Sequence, residues 1–336
     1  MAEVKSNKEL FNVSVSPHIR SKESVSKIMW TVNICLAPAA LFGAYYFGLN
    51  AILILVAGVV SAVFFEWAVQ KIRKKPVTVK DGSAFLTGLL LAMCLPPTLP
   101  WWMTIVGSFI AIVIAKHAMG GLGSNIFNPA HIGRAALMVS WPVAMTTWSK
   151  MTTAADVVSS ATPLNVLKMQ GHEALIDTFG NASNMYQALF LGTRNGCIGE
   201  TCTVLLVLGG LFLIYKKYIN WQVPVVMIGT VGILTWIFGG LVDPAGSLGF
   251  FAGDPLFHIM AGGLIIGAFF MATDMVTIPM TIKGQIIFAA GAGVMTVMIR
   301  LLGGYPEGVC YSILLMNCLT PLIDRFCQPK KFGARG

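Results

Sequence analysis

The chain has 336 residues, 56% of them hydrophobic and 11% charged, with a formal net charge of +9 and a mean hydropathy of +0.75. A soluble domain carries about 25% charged residues, so the composition excludes an ordinary soluble enzyme and describes a polytopic membrane protein. The basic residues gather at helix ends and short loops, as cytoplasmic loops of membrane proteins require, and that distribution argues against a nucleic-acid partner.

The first 27 residues are polar and mixed in charge. No apolar run before a small-residue cleavage site stands there, so no cleavable signal is expected. Apolar segments then follow at 28–48, 51–70, 83–96, 101–118, 129–147, 201–216, 222–241, 256–273, 283–300 and 307–324. The expected fold is all-α and polytopic, with about ten transmembrane helices of roughly 20 residues embedded in a lipid bilayer. With the N-terminus inside, Lys71, Arg73, Lys74, Lys75, Lys116, Arg134, Lys216 and Lys217 fall on the inner side. Lys150, Lys168, Arg194 and Arg300 fall outside. This bias predicts two cytoplasmic termini and an extracytoplasmic loop over 148–200. The organisation expected is a cytoplasmic segment 1–27, a first transmembrane repeat 28–147, the loop 148–200, a second repeat 201–324 and a cytoplasmic tail 325–336.

The halves echo each other. Thr87-Gly88-Leu89 begins a short segment before Phe127-Asn128-Pro129, and Gly262-Gly263-Leu264 begins another before Tyr305-Pro306-Glu307. Five helices per repeat is an odd number, so the second copy must be inverted in the membrane. The short third segments, followed by Leu95-Pro96-Pro97 and by Thr273 through Pro279, point to a central site where non-helical backbone is tolerated.

Seven cysteines show no metal-type spacing; Cys197 and Cys202 flank one loop-to-helix junction, where a disulfide or metal pair is one reading and two buried thiols the other. Glu66, Asp274 and Glu307 are acids in or beside apolar segments, read either as ion-path groups or as helix-end carboxylates. Lys116 and His117 close the fourth segment and are expected to snorkel to the inner surface. His258 reads as structural, and the tryptophans read as interface anchors. No phosphate loop, dinucleotide fingerprint or nucleophile triad is present.

The run Asp156-Val157-Val158-Ser159-Ser160-Ala161-Thr162 reads by spacing as an ordinary turn before Pro163. It also resembles the acceptor site D-x-x-[ST]-G-A-T, at which a flavin transferase esterifies the phosphate of FMN to a threonine hydroxyl. Ser160 departs from that pattern, standing where glycine is usual.

Further stretches carry a family resemblance, in order along the chain. They are Asp81-Gly82-Ser83-Ala84-Phe85-Leu86-Thr87-Gly88, Gly123-Ser124-Asn125-Ile126-Phe127-Asn128-Pro129-Ala130, Ser160-Ala161-Thr162-Pro163-Leu164, Gly199-Glu200-Thr201, Thr273-Asp274-Met275-Val276-Thr277-Ile278-Pro279, and Pro306-Glu307-Gly308 with Leu314-Leu315-Met316-Asn317. Together they resemble the RnfD/NqrB family of membrane subunits of ion-pumping flavoprotein complexes, and the short N-terminus is more like RnfD.

The resemblance implies FMN joined to Thr162 by a phosphoester, with Asp156, Ser159, Ser160 and Ala161 as the attachment motif. It also implies a second, non-covalent flavin, riboflavin, near Asn125 and Asn128, although capping of a helix that starts at Pro129 explains Asn128 by itself. The implied function is electron relay between ferredoxin and NAD, coupled to Na⁺ or H⁺ transport in the bacterial inner membrane. The implied partners are the other subunits of an Rnf complex, among them small membrane subunits and a second flavinylated subunit, with a flavin transferase for maturation. The near alternative is an NqrB-like subunit of a Na⁺-pumping NADH:quinone reductase. The alternatives of another class are a urea-channel-like solute transporter, which has the same expected architecture, and a flavin-free assembly scaffold.

Overall fold

The computed structural model describes residues 23–148, 161–242, 249–305 and 307–328. Asp156, Ser159 and Ser160, the expected N-terminal segment through residue 22 and the expected tail from residue 329 lie outside these. Among the described residues every regular element is helical.

Ser24 starts α1 (Val25–Phe47), its hydroxyl accepting from the Lys27 N–H at 3.2 Å. A sharp turn at Gly48 reverses the chain into α2 (Leu49–Ile72). The next helix, α3 (Ser83–Met93), has 11 residues, too few to cross a hydrocarbon layer of about 30 Å at 1.5 Å per residue. α4 runs from Trp101 to Ala118, wound as π-helical turns from Ile110 onward.

The segment expected as one helix over 129–147 is two. α5 (Pro129–Ser140) ends where Trp141 leaves helical geometry (φ −134), and α6 (Pro142–Thr146) begins afresh on a proline that lacks the N–H to continue the ladder.

Much of the expected loop is folded. α7 (Pro163–Phe179), kinked at Gly171 (φ 88), packs with α8 (Ala182–Leu191). The chain then turns into the protein: Ile198 is buried, and its N–H donates to Leu95 O at 3.1 Å. Gly192 (φ 93) makes this turn, and a side chain there would strike the Thr201 backbone.

α9 (Thr203–Tyr215) and α10 (Gln222–Val242, ending in a 3₁₀ turn) open the second half. The expected segment 256–273 is again divided. α11 (Pro255–Met260) stops at Ala261, and α12 (Leu264–Ile266) continues as π-helical turns through Met271. α13 (Ile282–Leu302) and α14 (Val309–Phe326) complete the bundle.

Among the described residues α1, α2, α4, α10, α13 and α14 are long and apolar enough to cross a membrane, while α3 and α9 are shorter apolar helices. The chain is thus a multi-pass membrane protein. α2 packs on α3 and α4, and α10 and α14 both pack on α13. α1 against α9, and α5 against α14, join the two halves. Leu36, Ile54, Leu91, Phe288 and Ile313 are fully buried in this core, whereas Leu41, Tyr45, Val60, Leu208 and Leu302 are exposed. An apolar exterior around a core that also holds charge is what lipid as solvent selects.

Small residues bring helices close where lipid supplies no hydrophobic drive between them. A side chain at Gly58 of α2 would lie 3.0 Å from both Gly88 O and Ala92 Cβ of α3, and one at Gly88 would meet Ala62 Cβ at 2.8 Å. Gly88→Leu is therefore expected to destabilise the α2–α3 contact by about 1–3 kcal/mol, the cost of overpacking. A lower thermal midpoint in fluorescence-detected size exclusion would show it.

Candidate functional site

Helix direction puts two clefts at opposite ends of the bundle. One is lined by the start of α1 and α3, the end of α4 and the end of α9; the other by the end of α5, by Trp148 and by the residues after α13. Exposed Lys71, Arg73, Lys74, Lys216, Lys217 and Lys283 all lie at the first end.

At the second end, Thr162 is the N-cap of α7. Its Oγ1 accepts from the Asn165 N–H at 3.3 Å, and Pro163 takes the first helical position. Leu164, one residue into the helix, packs with Met185 and Leu189 of α8 and Phe257 of α11, which fixes where the cap stands. Thr162 is 4% exposed and the adjoining Ala161 is exposed.

A cleft of about 810 Å³, counted with its open mouth, begins at Asn165. Trp148, Tyr305 and Tyr311 give it aromatic walls, and Arg134 and Glu307 give it charge. A helix N-terminus beside it presents the positive end of the helix dipole to a phosphate. The Lys168 ammonium, on the next turn of α7, donates to Arg300 O at 3.1 Å and to Gly303 O; burial draws its pKa below the usual lysine value.

At the first end, Asn125 and Asn128 line one pocket with Ser83, Thr87, Lys116 and Asp274. Asn128 caps α5: its Oδ1 accepts from Ala130 N–H at 3.0 Å and its Nδ2 donates to Met271 O at 3.3 Å. Its own N–H donates to the Asn317 amide oxygen at 3.2 Å, in the amide orientation that satisfies both groups. Asn128 is thus committed to capping and to tying α5 to the second half. Asn125 donates to the nearby Phe127 O at 3.2 Å and also hydrogen-bonds to the Asp274 carboxylate.

Sequence reasoning missed the buried ion pairs. Lys116 does not snorkel: it is 2% exposed, with Nζ 2.6 Å from Glu66 Oε2 and 2.8 Å from Ser83 Oγ. The opposite charge of Glu66, 1% exposed on α2, draws the ammonium inward. Arg134 and Glu307 likewise pair across the two halves, and Arg194 and Arg300 are buried too. Lys116, Arg134, Arg194 and Arg300 are therefore not loop charges of the kind that orients helices. The only sequence signal was charge at unlikely positions in apolar segments, without an indication of the partner.

Cys197 and Cys202 are both free thiols. Ligand atoms of Cys197, Glu200 and Glu307 lie within 4.8 Å of one another. Arg134 already occupies Glu307, and Arg194 Nη2 donates to Glu200 O at 2.8 Å. With Arg134, Arg194 and Arg300 set against Glu200 and Glu307, the cluster carries more positive than negative charge, which disfavours a metal cation. His258 is buried with its carbonyl accepting from Arg300 Nη1 at 2.5 Å.

The family model described as NQR2, RnfD, RnfE matches residues 12–333. The chain belongs to this family. It is 68% identical over 336 residues, covering 100% of both chains, to a subunit of the proton-translocating ferredoxin:NAD(+) oxidoreductase complex of Clostridium ljungdahlii. It is 45% identical over 324 residues, 96% of this chain and 95% of the other, to the corresponding subunit of the Na(+)-translocating ferredoxin:NAD(+) oxidoreductase complex of Acetobacterium woodii. A third relative, from the ion-translocating oxidoreductase complex of Stutzerimonas stutzeri, is 40% identical over 342 residues and 94% of each chain.

For this family member, Lys116→Met leaves the Glu66 carboxylate buried and unpaired, and is expected to cost about 3–5 kcal/mol. Adding Glu66→Leu removes the orphan charge and should recover most of that loss. Thermal unfolding of the detergent-solubilised variants measures both.

Proposed function

We propose that the chain is the RnfD subunit of an ion-translocating ferredoxin:NAD⁺ oxidoreductase complex, carrying FMN as a phosphoester on Thr162 and relaying electrons within that assembly, coupled to Na⁺ or H⁺ transport. The observation that carries the reading is 68% identity along the whole chain to a protein named as a subunit of such a complex. The matching architecture is ten membrane segments in two inverted five-helix repeats, set in the bacterial inner membrane with both termini cytoplasmic and Thr162 on the outer side. Partners are the other subunits, including a second flavinylated one and small membrane subunits, and a flavin transferase.

The residues at the second end fit FMN. Thr162 Oγ1 stands at a helix N-terminus, where a phosphoester keeps the acceptor oxygen that caps Asn165 N–H and gains the favourable end of the helix dipole. The cleft beyond Asn165 has aromatic walls for a flat ring system. FMN, once attached, supplies the electron-accepting chemistry. The chain anchors it at Thr162, walls it with Trp148, Tyr305 and Tyr311, and sets charge beside it through Arg134 and Glu307. Thr162 is buried, so the transferase acts before this cap closes or with it opened. At the first end, Asn125 lines the pocket that riboflavin would enter, while Asn128 shapes that pocket through its cap.

Co-expression with the transferase should give a gel band fluorescent under ultraviolet light and a Thr162 peptide heavier by FMN less one water. Thr162→Ala should abolish both and Thr162→Ser should retain them. An unmodified wild-type peptide would sink the assignment.

A further inference from the structure

Arg134 is only 6% exposed and Glu307 lies against it, yet both face the open cleft that begins at Asn165. The guanidinium turns Nη2 toward Glu307 and toward the Cys197 thiol at 3.7 Å, while its Nε has no hydrogen-bond partner among the described residues. Buried donors are nearly always satisfied, so the charge of this guanidinium is only partly compensated by hydrogen bonds at the cleft wall. The surrounding charged and titratable groups come from every packed element: Glu200 and Arg194 from the end of the folded loop, Arg300 from α13, Cys310 from α14, Cys94 beyond α3 and His131 on α5.

The geometry points to the Arg134–Glu307 pair as the electrostatic control of a redox ring in this cleft, Arg134 raising its reduction potential and Glu307 lowering it. This rests on the assignment of FMN to Thr162. An electron delivered to the ring by an external one-electron donor adds one negative charge there. A guanidinium stabilises that charge and a carboxylate opposes it, both only weakly screened because they are buried. In the native protein the two effects oppose each other, and removing one partner exposes the other. Arg134 sits on α5 and Glu307 just before α14, so contact between the halves of the chain also sets the balance.

The test uses the full-length chain, flavinylated by co-expression and purified, with Thr162→Ala as the spectral background. Mass spectrometry of the Thr162 peptide comes first, and absence of the FMN mass overturns this inference together with the assignment beneath it. With FMN present, dithionite titration under dye-mediated potentiometry reads the flavin absorbance. Arg134→Gln is expected to lower the reduced-to-oxidised ratio at fixed potential about tenfold, which is about 59 mV for a one-electron step. Glu307→Gln is expected to shift it the opposite way, and Arg134→Lys to stay near wild type. Loss of packing alone has no reason to move the two variants in opposite directions. FMN bound with both potentials unchanged, or both shifted in one direction, overturns the inference. If Arg134→Gln does not fold, Glu307→Gln decides: a rise in potential supports the pair's role, and a fall or no change overturns it.

Discussion

Charge inside a bundle that lipid surrounds must be matched by charge, and that constraint organises this protein. Glu66 on α2 and Lys116 at the end of α4 meet at 2.6 Å with Ser83 as a further acceptor. Arg134 on α5 and Glu307 before α14 meet across the two halves of the chain. An isolated charge at either place would carry a desolvation cost of several kcal/mol, so each charge is kept beside its partner. The first pair borders the cleft of Asn125 and Asn128, and the second borders the cleft next to Thr162. The polar interior and the candidate sites are thus one system, with the sites where paired charge reaches a cavity.

Helix starts do the second part of the positioning. Asn128 and Thr162 each cap a helix that begins with proline, so the backbone there is fixed by a side-chain acceptor and by the locked φ of the next residue. At Asn128 the cap is also a junction, because the same amide reaches Met271 in the broken third segment of the second half. At Thr162 the capping oxygen is itself the proposed point of attachment. A cofactor held there inherits the rigidity of α7, which the apolar contacts of Leu164 seat on α8 and α11.

Short, interrupted helices give the clefts their space. α3 stops before Pro96-Pro97, and α11 and α12 are separated at Ala261, so neither fills the membrane thickness as a regular rod. The non-helical backbone this leaves is not idle. Leu95 O accepts from Ile198 N–H, and Ala261 O accepts from Arg300 Nη2 at 3.1 Å. Backbone polar groups at membrane depth are tolerated because other parts of the chain satisfy them.

Composition and the apolar runs were enough to establish an all-helical membrane protein, since a helix in lipid is written locally: each residue's preference for hydrocarbon is its own, and its backbone partners lie four residues away. The cap at Asn128 was legible for the same reason, as was the family, whereas Thr162 read as a turn in a loop and the helix it caps was found only in the structure. Breaks at Trp141 and at Ala261 were not legible, because apolar residues continue through them and mask the local breakers Pro142 and Gly262-Gly263. The inward turn of Ile198–Glu200 was hidden in the same way by a loop-like sequence. Lys116 read as a surface lysine because the residue that holds it, Glu66, lies far away in the chain. The Arg134–Glu307 pair spans still more of it. Which charges are buried together depends on how the halves dock, and that only the tertiary structure decided.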